Sequence, residues 1–184
     1  EESDPIATET DMTWIIDPLD GTSNYVNGIP FFAVNLALMI GNEVVLGITL
    51  DPMRNELFHA VKSRQAYLNQ KLIKVSSKKK LEGALIGYDL GYSDEKAKTA
   101  IEMILHLWSS IRSTRMMGSA ALGLAYVACG RADSYIEEDI MLWDVAAGLA
   151  LILGAGGSFN LSSGRHEWSY KVYASNINIT KNGV

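Results

Sequence analysis

Trp14-Ile15-Ile16-Asp17-Pro18-Leu19-Asp20-Gly21-Thr22-Ser23-Asn24-Tyr25 is the stretch on which the reading of this chain turns. Residues 13–16 form a short apolar, β-branched run that meets Asp17-Pro18, and proline cannot donate to a central ladder, so a strand is expected to stop there. Two carboxylates three apart then lie just past a strand end, and the turn at Pro18 can aim both inward. The Leu19 carbonyl between them has no evident ladder partner, which makes three oxygen ligands within residues 17–20. Two like charges about 4 Å apart repel by roughly 1 kcal/mol in water and several times more near a protein surface, so a cation or a proton must offset them. Oxygen-only ligation selects Mg²⁺, Mn²⁺ or Ca²⁺ over zinc. Gly21-Thr22-Ser23 can open a helical turn whose free N–H groups attract an anion, which would seat a phosphate against the metal. The alternative is an ordinary Asp/Pro/Gly/Thr turn in which Asp20 or Thr22 caps a helix.

Downstream, apolar β-rich runs at 31–40 and 43–50 join across Gly41-Asn42, and runs at 56–61 and 72–75 follow, each bounded by turn residues. This half reads as an antiparallel sheet. From residue 84 the pattern alternates: a strand at 84–88, helices at 94–110 and 119–129, a strand at 134–137, an apolar helix from Asp144 to about Gly154, and a strand at 172–175. Ile101, Ile104, Leu105 and Trp108 recur at helical spacing and are expected to form the buried face of the first helix. Val145, Ala146, Ala147, Leu149, Leu151, Ile152 and Leu153 leave the 144–154 helix almost no polar face, so it must be buried on most sides. Gly154, Gly156 and Gly157 close that helix and turn into a strand at Ser158; they do not join a strand to a helix start as a dinucleotide fingerprint would. Ser76-Ser77-Lys78-Lys79-Lys80 reads as a solvated connection between the halves. The expected class is α/β (α+β), one compact unit made of a sheet subdomain over 1–82 and an α/β subdomain over 83–184.

The 184 residues carry 16 Lys+Arg against 21 Asp+Glu, a net charge of −5, with 48% hydrophobic residues. A chain of this length removes roughly 70% of its unfolded surface from water, so it needs neither a disulfide nor a structural zinc. Its apolar content excludes intrinsic disorder. The acidic balance argues against a nucleic-acid partner, and an anionic substrate would need a metal or backbone donors. The single Cys129 reads as a small buried hydrophobe in a reducing compartment, which favours a cytoplasmic location. The longest apolar runs fall short of the ~20 residues of a membrane span, and the first contains Asn35, so no membrane association is expected. No signal peptide is visible. The start Glu1-Glu2-Ser3 without an initiator Met reads as the loss of a preceding segment.

A second acid supports the metal reading. Asp144 follows Trp143 at the start of the buried helix, where a carboxylate is favoured by the dipole and can serve as N-cap. An acid held that deep needs a partner, and Asp17 and Asp20 with a metal would supply one. Glu137 is a candidate to face the same cleft, although its neighbours Glu138 and Asp139 fit a solvated turn equally well. His59, His106 and His166 form no zinc pattern, and neither a nucleophile elbow nor a P-loop is present.

The segment 17–25 with its preceding Trp14-Ile15-Ile16, Trp143-Asp144-Val145-Ala146-Ala147-Gly148, and Gly154-Ala155-Gly156-Gly157 together resemble both signatures of the inositol monophosphatase family. The likeness extends through Gly28-Ile29-Pro30-Phe31 and Ala66-Tyr67-Leu68-Asn69. The resemblance implies a lithium-sensitive phosphatase using two or three Mg²⁺ ions per site, with Mn²⁺ as a substitute. It also implies a layered αβαβα sandwich, here lacking its N-terminal helical part and the acid that part contributes beside Thr22, and a homodimer. By the same likeness Glu2, Asp17, Asp20 and Thr22 are catalytic. Asp17 and the Leu19 carbonyl would bind one metal, Asp17, Asp20 and Asp144 a second, and Glu2, in a match that lacks the family's Gly, would bind metal and orient the attacking water. Gly21 and Thr22 amides would hold the phosphate, and Asp20, Ala120 of Gly118-Ser119-Ala120, Glu137 and Asp144 would contact substrate. Residues 89–93 correspond to pocket lining but depart from the family's pattern, and no role is implied for them. The expected activity is Mg²⁺-dependent hydrolysis of inositol monophosphate or a similar small polyol or sugar phosphate. Relatives acting on fructose bisphosphate, NADP, histidinol phosphate or adenosine 3′,5′-bisphosphate, or a non-catalytic metal- and anion-binding regulatory module, are the alternatives.

Overall fold

The computed structural model describes residues 11–91 and 93–176. Its first half is a meander in which β1 (Met12–Asp20), β2 (Ala33–Ile40), β3 (Glu43–Asp51), β4 (Glu56–Val61), β5 (Ala66–Leu68) and β6 (Lys71–Leu72) pair antiparallel in chain order. Strand alternation sorts the faces: Ala33, Asn35 and Ala37 of β2, Gly47, Thr49 and Asp51 of β3, and Phe58 and Ala60 of β4 point inward and are buried. A single short helix, α1 (Thr22–Val26), interrupts the meander.

The second half contains β7 (Leu85–Tyr88), α2 (Asp94–Leu107) with a 3₁₀ turn at Trp108–Ser110, β8 (Ser113–Met116) and α3 (Ala120–Ala128). β9 (Ser134–Met141), α4 (Leu142–Gly154), β10 (Gly157–Ser163) and β11 (Ser169–Asn176) complete it. Its sheet runs β10-β11-β9-β7-β8, with β7 parallel to both β8 and β9 and the other pairs antiparallel. The expected antiparallel half followed by a mixed half is thus present.

The apolar helices α3 and α4 lie between the two sheets and contact both. Small residues set that spacing. A Cβ on Gly47 of β3 would stand 2.3 Å from the Ala147 carbonyl of α4, and one on Gly148 of α4 would stand 2.5 Å from Leu124 of α3. On the far side of the second sheet, Ile104 of α2 packs with Ala84, Ile86, Ile136 and Tyr173. The described residues therefore form four layers, βαβα, of the five-layered sandwich, and the outer face of the first sheet exposes Trp14, Ile16 and Val34. Among the described residues no helix is long and apolar enough to cross a membrane.

Several expectations need correction. β1 does not stop at Pro18. Among the described residues it is the edge strand, and its pairing slips between Asp17, opposite Asn35, and Asp20, opposite Ala33, so the proline sits in a bulge where its missing N–H costs no ladder bond. Of residues 72–75 only Leu72 pairs as strand; beyond it Val75 N–H donates to the Ala155 carbonyl instead. The buried face of α2 is Ala100, Ile104 and Leu107, while Ile101, Leu105 and Trp108 are 45%, 69% and 60% exposed. Two apolar stripes one residue apart compete for that face, and the one carrying the small Ala100 lets the helix approach the sheet. Glu138 and Asp139 are buried members of β9, not a solvated turn, and Glu138 pairs with Lys171 at 2.6 Å. The 76–80 connection is solvated at its lysines yet anchored, because buried Asp133 accepts from Ser76 Oγ at 2.6 Å, Leu85 N at 2.7 Å and Lys78 Nζ at 2.7 Å. Cys129 is only partly buried.

Candidate active site

The bulge in β1 is what gathers the first two acids, since one extra residue between Asp17 and Asp20 re-aims the strand and leaves both side chains buried. Asp17 Oδ1 accepts from Leu19 N at 3.0 Å, and Thr22 Oγ1 donates to the Leu19 carbonyl at 3.0 Å, so the turn is closed from both sides. Gly21 is in the left-handed region, φ 82°, and a Cβ there would meet the Gly118 carbonyl at 3.0 Å and the Phe31 carbonyl at 3.2 Å. Only glycine meets both conditions. Asn24 Nδ2 donates to the Phe31, Met117 and Gly118 carbonyls, which fastens the motif to the loop before α3.

That loop carries the partner of Asp20. Ser119 is the N-cap of α3, accepting from Leu122 N at 3.3 Å, and its hydroxyl donates a short hydrogen bond to Asp20 Oδ2, which also accepts from Ala121 N at 3.3 Å. Asp144 arrives from the other side. It is the third residue of α4, not its N-cap, and its Oδ2 accepts from Met141 N at 3.3 Å. Its own carbonyl accepts from Asn35 Nδ2 at 3.0 Å, and Asn35 Oδ1 accepts from Thr49 Oγ1 at 2.7 Å, so a buried polar pair in the first sheet pins the first turn of α4.

Asp17, Asp20 and Asp144 are all buried and offer carboxylate oxygens within 4.8 Å of one another. At that separation each ionised pair repels by on the order of 3 kcal/mol in a partly screened interior. The carboxyls respond accordingly. Burial, helped by the charge of Asp17 and opposed by the Ser119 hydrogen bond, pushes Asp20 up to about 7. Burial followed by the charge of Asp20 pushes Asp144 up to about 8. Such a set holds protons or a hard cation, and its all-oxygen chemistry fits Mg²⁺ or Mn²⁺.

The cluster opens onto a cavity of about 580 Å³ that Leu19, Gly21, Thr22, Gly118, Ala120, Glu137 and Trp143 also line. The cavity lies beyond the carboxyl ends of β7 and β8, the usual place for a ligand in an open α/β sheet. Glu137 sits mid-strand in β9, not at a strand end; burial, then the charge of Asp89, pushes its pKa well up. The expected residues Asp17, Leu19, Asp20, Gly21, Thr22, Ala120, Glu137 and Asp144 thus share one cavity, and Glu2 lies outside the described residues.

The family likeness places residues 89–93 in the pocket lining without a role, and Tyr135 is not singled out by the sequence at all. Asp89 lines the cavity directly after β7, and Tyr135 OH lies 2.9 Å from Asp89 Oδ2 and 2.6 Å from Glu137 Oε2. Burial pushes Asp89 up to about 6 against the hydrogen bonds it receives, one of them from Gly118 N at 2.7 Å. One signal was readable: Asn35 occupies an inward position of an apolar strand, where an amide needs a partner.

Three comparisons bear on this geometry. A protein named Nus factor SuhB from Xylella fastidiosa is 45% identical over 149 residues, covering 79% of this chain and 54% of its own length. A Nus factor SuhB from Salmonella typhimurium is 36% identical over 184 residues, 98% of this chain and 69% of its own length. The solved structure of inositol monophosphatase from Anabaena (Nostoc) sp. PCC 7120 superposes with a TM-score of 0.88 at 35% identity, covering 96% of this chain and 71% of that one. The chain therefore spans between 54% and 71% of these relatives' lengths. The model of the inositol monophosphatase family matches residues 1–182. With the three acids gathered as described, the chain belongs to the inositol monophosphatase family.

Proposed function

We propose that this chain is the core of a Mg²⁺-dependent phosphomonoesterase acting on inositol monophosphate or a similar small polyol phosphate. The observation that carries the reading is the opening of three buried carboxylates, within 4.8 Å of one another, onto the cavity lined by Thr22 and Glu137. Asp17, the Leu19 carbonyl, Asp20 and Asp144 would hold two or three ions, with Glu2 as a further ligand by the family likeness. Bound there, Mg²⁺ would offset carboxylate and phosphoryl charge and lower the pKa of a coordinated water.

The remaining work falls to the chain. Ser119 and Ala121 hold Asp20 in one orientation, and Met141 N–H holds Asp144, so little rearrangement is needed when substrate arrives. The amides of Gly21 and Thr22 offer donors to the phosphoryl oxygens, while the Thr22 hydroxyl keeps the Leu19 turn closed. Glu137 and the start of α3 at Ala120 face the organic part of the ester. A net charge of −5 is compatible with an anionic substrate if cations supply the attraction. A homodimer in the cytoplasm completes the proposal.

The test is phosphate release across inositol monophosphate, fructose bisphosphate, NADP, histidinol phosphate and adenosine 3′,5′-bisphosphate, with Asp17→Asn as control. Mg²⁺-dependent release abolished by that substitution supports the reading, and a preference above tenfold for another ester overturns the inositol assignment. A second reading carries over the relatives' name, Nus factor, and is favoured by identities of 45% and 36%; it reopens the expectation of no nucleic-acid partner. Asp17→Asn restoring a Salmonella strain that lacks its relative would favour that role, whereas failure of the variant where the unaltered chain succeeds would favour turnover.

A further inference from the structure

We infer that Asp89, acting through Tyr135, is a positioning residue that holds Glu137 as the hydroxyl-reading wall of the cavity and so sets a preference for polyol phosphates over phosphate esters without hydroxyls. The inference rests on the phosphatase reading and names the part of the site that selects the substrate. Its first support is a proton count. The Tyr135 hydroxyl has one hydrogen but stands between two buried carboxyl oxygens, 2.6 Å from Glu137 and 2.9 Å from Asp89. With both carboxyls ionised, one of those contacts would set a lone pair against a carboxylate, so the three groups share one further proton. Gly118 N–H donates to Asp89 at 2.7 Å, which favours its ionised form, whereas no backbone N–H among the described residues reaches the Glu137 carboxyl. The chain of donation therefore runs from the Glu137 carboxyl to the Tyr135 oxygen and from the Tyr135 hydroxyl to Asp89. One Glu137 oxygen is thereby committed, and the other is held as a fixed acceptor for a substrate hydroxyl.

The second support is the space made for the ring. A Cβ on Gly123 would lie 2.4 Å from the Tyr135 ring, and one on Gly87 would lie 3.2 Å from it. Gly123 is interior to α3, where glycine costs about 1 kcal/mol relative to alanine. The fold accepts that cost at the place where the tyrosine ring must pass between α3 and β7. Asp89 also ties the two walls together, since the Gly118 amide it accepts from adjoins Ser119, the donor to Asp20.

The experiment compares kcat/KM for inositol monophosphate and for p-nitrophenyl phosphate, an ester without hydroxyls, in the full chain and in Tyr135→Phe and Asp89→Asn. Phe preserves the ring that fills the slot and removes only the hydroxyl. The ratio of polyol to aryl efficiency is expected to fall at least tenfold in Tyr135→Phe, mostly through KM for the polyol ester. Asp89→Asn leaves one acceptor oxygen where there were two, and with Gly118 N–H holding that oxygen the amide NH2 faces Tyr135, so the variant should lower the same ratio even if Tyr135→Phe does not fold. A ratio within twofold of the unaltered chain in every variant that folds, or a fall shared equally by both esters, overturns the inference. An unaltered chain that hydrolyses neither ester overturns the phosphatase reading and this inference with it, whereas hydrolysis of both with an unmoved ratio overturns the inference alone.

Discussion

Asp20→Asn is expected to stabilise the cation-free protein at pH 8 while removing its response to Mg²⁺. The carboxyl of Asp20 is pushed from 3.8 to about 7, chiefly by burial and then by the charge of Asp17. Between those values the unfolded chain has released its proton and the folded chain has kept it. Stability therefore falls as pH rises through that window and levels off above 7. About three pH units at 1.36 kcal/mol each give an upper figure of ~4 kcal/mol, and relaxation around Asp17 and Asp144 brings the expected gain to about 2–4 kcal/mol. Asparagine keeps the carbonyl that accepts from Ser119 and Ala121, so neither hydrogen bond need be lost. For a chain of this size the gain corresponds to a rise in Tm of roughly 5–12 °C. The assay is thermal unfolding by circular dichroism in EDTA at pH 8 and pH 5, repeated with saturating Mg²⁺. The advantage of the variant should shrink at pH 5, and only the unaltered chain should gain strongly from the cation. A variant less stable than the unaltered chain at pH 8 in EDTA, or better by the same margin at both pH values, refutes the reasoning.

Asp133→Ala strands the donors at Leu85, Ser76 and Lys78 and should cost about 3 kcal/mol, read as a lower denaturant midpoint at constant m. Gly47→Ala drives a Cβ toward the Ala147 carbonyl 2.3 Å away, so it should cost about 2–3 kcal/mol and weaken Mg²⁺ affinity in calorimetric titration by displacing the helix that carries Asp144. Submillimolar to millimolar Li⁺ should inhibit phosphate release at limiting Mg²⁺, and a flat response through that range would count against the family's ion chemistry operating here.

The strands of the first sheet were legible because inward and outward residues alternate and Gly41-Asn42 marks the turn. The burial of α4 followed from a helix without a polar face. What misled was competition between features of similar strength. α2 offers two apolar stripes, and only docking against Ile86 and Ile136 chooses between them. Pro18 reads as a strand end unless the register is known to slip between Asp17 and Asp20, which is a property of the pairing with β2 and not of the local residues. The carboxylate cluster was legible as chemistry at Asp17 and Asp20, and Asp144 joined it through depth of burial. Asp89 falls in the stretch the family likeness places at the pocket lining, but its role and that of Tyr135 were not legible, because a single acid after a strand and a tyrosine within one carry no pattern until β7 and β9 are laid side by side.

The most direct measurement of the central claim is anomalous diffraction from crystals soaked in Mn²⁺. The account predicts anomalous density within coordination distance of the carboxylates of Asp17, Asp20 and Asp144, with a peak lost in crystals of Asp144→Asn. Manganese bound elsewhere, with those three carboxylates turned to separate places, would contradict it.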